Sequence, residues 1–175
     1  HRRPDLEVVP FRGNVDTRLA KLAAGEAQAT FLAMAGLNRL GRQGIGAVPL
    51  PPEVMLPAVA QGAIGIERRQ DDQDAAALLA ALTDPECMLC VKVERAFLAE
   101  LDGSCRTPIA GLAERLAPAG ASGGDRVRFR GAIAAPDGGQ AHFTALEAAA
   151  GDAVAMAVAA AHRLLAEAGP GFLAT

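Results

Sequence analysis

Tryptophan and tyrosine are both absent from this chain, and six phenylalanines are its whole aromatic content. Proteins that hold single-stranded nucleic acid stack bases on aromatic rings, and this composition has little with which to build such a platform. An excess of one charge is missing too. Seventeen basic and 20 acidic residues, interspersed along the chain, leave a formal net charge of -3. That balance supplies no basic stripe for a phosphate backbone, so nucleic acid is not an expected partner. Long apolar runs are also lacking. "AAALLAAL" and "AVAMAVAAAH" are interrupted or flanked by charge well short of the ~20 residues that span a bilayer. They read as soluble helices, with no membrane partner.

Cysteine is scarce, and its count of three is odd. An odd number argues against a disulfide framework and for a reducing, cytoplasmic setting. No P-loop, GxGxxG or Ser-His-Asp arrangement stands out. The opening "HRRPDLEVVPF" has neither an initiator Met nor an apolar signal region, and it reads as a chain entered partway through.

What is present suits one or two compact units with a real core: 175 residues, 51% of them hydrophobic. "LEVVPF" (6–11) reads as a short strand, and residues 14–25 as a helix with Asn14 as N-cap and Gly25 as its stop. "ATFLAM" (29–34) reads as a buried strand and "AGLNRLG" (35–41) as a short helix. That alternation predicts an α/β layer with parallel strands. Residues 41–62 are rich in Gly and Pro and form a connector, "AIGIE" (63–67) is a further strand candidate, and 73–82 a short helix. A longer helix runs from "DPECMLC" to about Leu101, with Cys90, Val93, Phe97 and Leu101 as its apolar stripe. The remainder reads as a small α+β unit. In "RVRFRGAIA" (126–134), Val127, Phe129, Gly131 and Ile133 share one face, "PDGG" (136–139) turns the chain, and "QAHFTAL" pairs back. A last helix over 152–167 buries Met156, Ala160 and Leu164.

Few residues carry chemistry. In "FRGNVDTRL" a turn at Arg12-Gly13 leads into a helix start, where free backbone N–H groups favour an anion. Arg18 opposes the helix dipole there, which makes sense if an anion satisfies both; the plainer reading is two solvated arginines. Cys87 and Cys90 form a CxxC, but both fall on a helix and no second pair completes a metal tetrahedron. His1, His142 and His162 are scattered without a partner pattern, and Arg126, Arg128 and Arg130 make a solvated strand face on which anion contact is open. Cys105 differs. It lies in a loop of small residues between two helix-like regions, beside Arg106, which favours the nucleophilic thiolate.

"RGNVDTRLAKL", "LPAVAQGAIGIE" and "ERAFLAELDGSCRTPIAG", in this order, resemble the porphobilinogen deaminase (hydroxymethylbilane synthase) family over essentially the whole chain. The resemblance implies a transferase of heme biosynthesis. Four porphobilinogen molecules are condensed head to tail on a dipyrromethane cofactor, releasing ammonia, and the product is hydroxymethylbilane. By resemblance Cys105 holds the cofactor through a thioether, Arg12 and Arg18 bind the carboxylates of cofactor or growing polypyrrole chain, and Gln61 and Gly62 line the cleft. No metal is implied, and the family is usually monomeric.

The implied fold is α/β plus α+β. Residues 1–55 belong to a second, periplasmic-binding-protein-like α/β domain. Residues 56–84 are a hinge and a return to a mostly absent first domain, and 85–175 the cofactor-carrying α+β domain. Family members extend further on the N-terminal side and keep their general-acid Asp there, so no catalytic residue is expected here. General acid–base assistance is worth roughly 10²–10⁴-fold, and this segment alone is expected to be inactive. Ala60 and Ser104 stand where the family usually has Gly. The alternatives are a non-catalytic carboxylate-binding module using Arg12 and Arg18, and a thiol or metal protein using Cys87, Cys90 and Cys105.

Overall fold

The sheet and its two helices explain most of the chain's burial. A computed structural model describes residues 3–104, 106–117 and 124–173, and the chain divides into two compact units, one up to Pro51 and one from Pro52 onward.

The second unit holds a three-stranded antiparallel sheet in the order β1 (Ile109–Leu116), β2 (Arg126–Ala134), β3 (Ala141–Ala149). The β2–β3 hairpin forms as its alternation predicts: Val127, Phe129 and Ile133 are fully buried, and Arg126 and Arg128 face out. Register runs from Arg126 opposite Ala149 to Ala134 opposite Ala141. Helix α4 (Pro85–Glu100) and helix α5 (Ala153–Ala168), entered through a 3-10 turn at Ala150–Asp152, complete the core. Asp84 caps α4 by accepting from Cys87 N at 2.8 Å, and Pro85 occupies a first-turn position where its missing N–H is harmless. Val93, Phe97 and Leu101 are buried along the expected stripe. On α5 the buried face is mostly alanine (Ala153, Ala157, Ala160, Ala161) with Leu164, which lets its backbone approach its neighbours closely.

One expectation fails here. The segment after Cys105 is not helix-like but the strand β1. Its composition favours a helix, yet Pro108 withholds a donor at its start, and pairing with β2 satisfies its backbone from Ile109 opposite Ile133 onward.

The first unit contains α1 (Val15–Ala23) and α2 (Met34–Arg39). Asn14 caps α1 through Thr17 N at 2.9 Å, and the helix closes with Gly25 N–H to Leu22 O and Glu26 N–H to Lys21 O. The strands expected at 6–11, 29–34 and 63–67 are not formed among the described residues. Val8 and Ile64 are 93% and 92% exposed, and Phe31 is 66% exposed. The physical reason is that a strand exists only with a partner to take its N–H and C=O groups, and none of these stretches is paired. The parallel α/β layer is accordingly not seen among the described residues. Helix α3 (Gln73–Ala80) stands where expected, capped by Asp72. Among the described residues no helix is long and apolar enough to cross a membrane.

Gly131 is a tight point of the core. Phe97 and Phe129 meet with ring centroids 4.9 Å apart, and a Cβ at Gly131 would lie 2.9 Å from Phe97 Cζ and 3.0 Å from Phe129 Cε1. Gly131→Ala is therefore expected to destabilise the chain by about 1–3 kcal/mol through overpacking, read as a lowered urea midpoint at unchanged slope.

Candidate functional site

In the first unit the candidate site is built around the start of α1. Gly13 has φ +132°, and a Cβ there would meet the Thr17 side chain at 2.8 Å, so the turn into the helix admits no side chain. Arg12, beside it, is exposed. Arg18, in the second turn, is half-buried, and its Nη2 donates to Thr30 Oγ1 and to Phe31 O, each at 2.7 Å. The guanidinium carbon lies 5.9 Å from the Phe11 ring centroid, with Lys21 Nζ 5.8 Å from the same ring. Its Nε is buried with no hydrogen-bond partner. Among the described residues neither Arg12 nor Arg18 has a carboxylate partner. Asp16, the acidic residue of this first turn, is taken by Arg42 at 3.1 Å. Two cations without counter-ions, one with a buried unpaired donor, complement a ligand carrying carboxylates. A groove of about 480 Å³ that shares Thr30 and Phe31 with this site is otherwise lined mainly by apolar residues such as Leu19, Leu22, Leu37 and Leu50 and offers such a ligand no charge.

In the second unit Gln61 and Gly62 sit together on an exposed turn, closed by Gln61 N–H to Ala58 O and Ala63 N–H to Ala60 O at 3.1 Å each. What holds this turn is Glu94 of α4, a residue that sequence reasoning missed. It is only 6% exposed, its Oε2 accepts from Ala60 N at 2.6 Å, and its Oε1 from Ala113 N of β1 at 2.8 Å. Gly111 N–H to Pro57 O at 3.1 Å and Val59 packed on the core dock the residues just before. The missed signal is legible: Glu94 falls inside the apolar stripe of α4, where an acid needs buried donors.

Cys105 lies outside the described residues. On either side of it, Ser104 N–H donates to Thr107 Oγ1 at 3.0 Å, Arg106 N–H to Ser104 Oγ at 3.2 Å, and Thr107 N–H to Ser104 O at 3.1 Å. These local bonds tie both flanks of the cysteine position together.

The other candidates are drawn into the fold. Cys87 and Cys90 are free thiols. Burial pushes the Cys90 thiol up, away from its reactive form. Among the described residues no group of three or more His, Cys, Asp and Glu could hold a metal. The strand arginines, for which anion contact was left open, are paired internally. Arg126 and Arg128 reach Glu147 at 3.2 and 2.9 Å, and Arg130 reaches Glu53 and Glu114 at 2.6 and 2.7 Å. His142 stands edge-on to Phe172, and His162 meets Glu100.

Known families match both parts of the chain. The family model described as porphobilinogen deaminase, dipyromethane cofactor binding domain, matches residues 1–77, and that of the porphobilinogen deaminase C-terminal domain matches residues 88–166. The chain belongs to the porphobilinogen deaminase family. It is 55% identical over 163 residues to the porphobilinogen deaminase of Paracoccus denitrificans, covering 93% of this chain and 50% of that protein. With the porphobilinogen deaminases of Nitrobacter winogradskyi and Nitrobacter hamburgensis it shares 50% and 51% identity over 170 residues, or 97% of this chain and 52% of each. The chain thus spans about half the length of the curated relatives it matches.

The Glu94 site yields a pH prediction. Burial pushes the carboxyl above the ordinary carboxylate range, against the two N–H bonds that pull it down. The folded chain therefore binds this proton more readily than the unfolded chain. The resulting stabilisation is full below the unfolded value and is lost as pH rises through the folded one. Acidification from neutrality is expected to stabilise the parent relative to Glu94→Gln. Parallel urea-unfolding pH profiles for the two would contradict this.

Proposed function

We propose that this chain is part of a porphobilinogen deaminase that builds hydroxymethylbilane from four porphobilinogen molecules, with release of ammonia. In this reading Cys105 carries dipyrromethane through a thioether. Arg12 and Arg18 bind the acetate and propionate carboxylates of that group or of the growing chain, and Gln61 and Gly62 border the cleft. The dipyrromethane group, when bound, supplies the primer to which the pyrroles are added. No residue of this chain is assigned as general acid. Residues 1–55 belong to a periplasmic-binding-protein-like α/β domain, 56–84 to a hinge and a returning segment, and 85–175 to the cofactor-carrying domain of a monomeric, cytoplasmic enzyme.

Arg18 carries the reading. An anchored, half-buried guanidinium without a carboxylate partner among the described residues, and with its Nε orphaned, is the chemical complement of a pyrrole carboxylate. Arg130 also has an unpartnered Nε, but it is flanked by Glu53 and Glu114, whereas at Arg18 a ligand carboxylate would supply the missing counter-charge. The bonds among Ser104, Arg106 and Thr107 order the residues on either side of the cysteine position. The family descriptions name the cofactor.

Intact mass of the full-length protein is expected to show a covalent dipyrromethane addition that Cys105→Ala abolishes. Arg18→Ala is expected to lower turnover about tenfold or more, as loss of one charge-assisted carboxylate contact does. The isolated 175-residue segment is expected to form no hydroxymethylbilane. An unmodified full-length protein that still binds tetrapyrroles would instead support the carboxylate-binding module.

A further inference from the structure

Glu94 holds a position that neither packing nor the proposed chemistry yet accounts for. The segment before the Gln61–Gly62 turn is fastened by Gly111 N–H to Pro57 O and by Val59 on the core. Beyond Ala60 the chain leaves the core: residues 61–70 are all exposed, and the hydrogen bonds of the turn are its own. Ala60 N–H to Glu94 is the last tie. It fixes Ala60 at φ +55°, a conformation that a residue with a Cβ keeps only when its surroundings impose it. On the other side, Glu94 stands between the fully buried Val93 and the α4 residues that run to Phe97. That same helix leads directly into the segment bearing Cys105, and its end is closed by Leu101 N–H to Phe97 O and Gly103 N–H to Leu98 O. The second carboxylate oxygen grips Ala113 in β1, on the far side of that segment. One side chain thus ties together the turn, the helix entering the cysteine loop and the strand leaving it.

We propose that Glu94 is a positioning residue for the polymerisation: its carboxylate pins the Gln61–Gly62 turn to helix α4 and strand β1, the elements before and after the cysteine position, so that the turn presents one fixed surface to the pyrrole chain. This rests on the reading that the turn and Cys105 border the same cleft. A carboxylate suits the task because it accepts from two N–H groups at once. A glutamine of the same shape keeps one acceptor and turns an NH2 donor toward the other N–H.

The test uses the full-length enzyme and its Glu94→Gln variant, with porphobilinogen as substrate. Amide exchange at Ala60 and Gln61 is expected to accelerate about tenfold or more, as loss of a hydrogen bond to a charged group permits, while β2 amides keep their parental rates. With cofactor load unchanged, kcat/KM is expected to fall by about the same factor. Unchanged Ala60 exchange overturns the proposal. So does a loosened turn with unchanged kcat/KM, or acceleration of β2 amides to the same extent, which marks a purely structural role. Where Glu94→Gln fails to fold, Glu94→Asp, which keeps the charge but withdraws it by one methylene, carries the same readouts. A parent without cofactor or turnover overturns the functional reading and the positioning role with it. A loaded, active parent with an indifferent variant overturns the Glu94 assignment alone.

Discussion

A buried carboxylate between two backbone N–H groups holds this structure's connector to its core. Taking a charged oxygen pair out of water is expensive, and burial alone pushes the Glu94 carboxyl toward its neutral form. The penalty is tolerable because each oxygen finds a donor, at 2.6 Å from Ala60 and 2.8 Å from Ala113. An apolar residue in its place would leave both N–H groups unsatisfied. The arrangement makes the core of the second unit include a segment with no secondary structure of its own. Of residues 57–60, Val59 packs against that core, beside Ile109 and Ala113 of β1.

Charge is distributed by the same logic. Arg130 is enclosed by Glu53 and Glu114, Arg115 by Glu86 and Asp125, and Glu147 serves both Arg126 and Arg128. These pairs answer their cations internally, so the outer face of the sheet has little affinity to offer an anionic ligand. At the start of α1 the pattern reverses. The acidic residue there is consumed by Arg42, while Arg18 is anchored by neutral oxygens that leave its charge uncompensated. The contrast, rather than the mere presence of arginine, marks the second place as the one suited to carboxylates.

Much of this was legible in the residues. The Asn14 cap, the α4 stripe, the alternation of β2 and the turn at 136–139 all appear as read, because each is enforced within a few residues of itself. Three strands read from apolar runs at 6–11, 29–34 and 63–67 do not form, since apolar character specifies burial but cannot supply a hydrogen-bonded neighbour. The opposite error occurred at 109–116, where helix-favouring residues became β1 once β2 offered an edge. Of the proposed site, the sequence points to Arg12, Arg18, Gln61, Gly62 and Cys105, whereas Glu94 emerges only from the fold.

The sequence by itself determined the caps, turns and stripes and the cysteine-loop motif, all of which depend on side chains close together along the chain. Only the tertiary structure decided which charges are answered by a neighbouring group and which are not. It alone brought Glu94 to Ala60, 34 residues away, and to Ala113, 19 residues away. A buried group's state depends on whichever donors and acceptors folding sets against it, and these are distant in sequence.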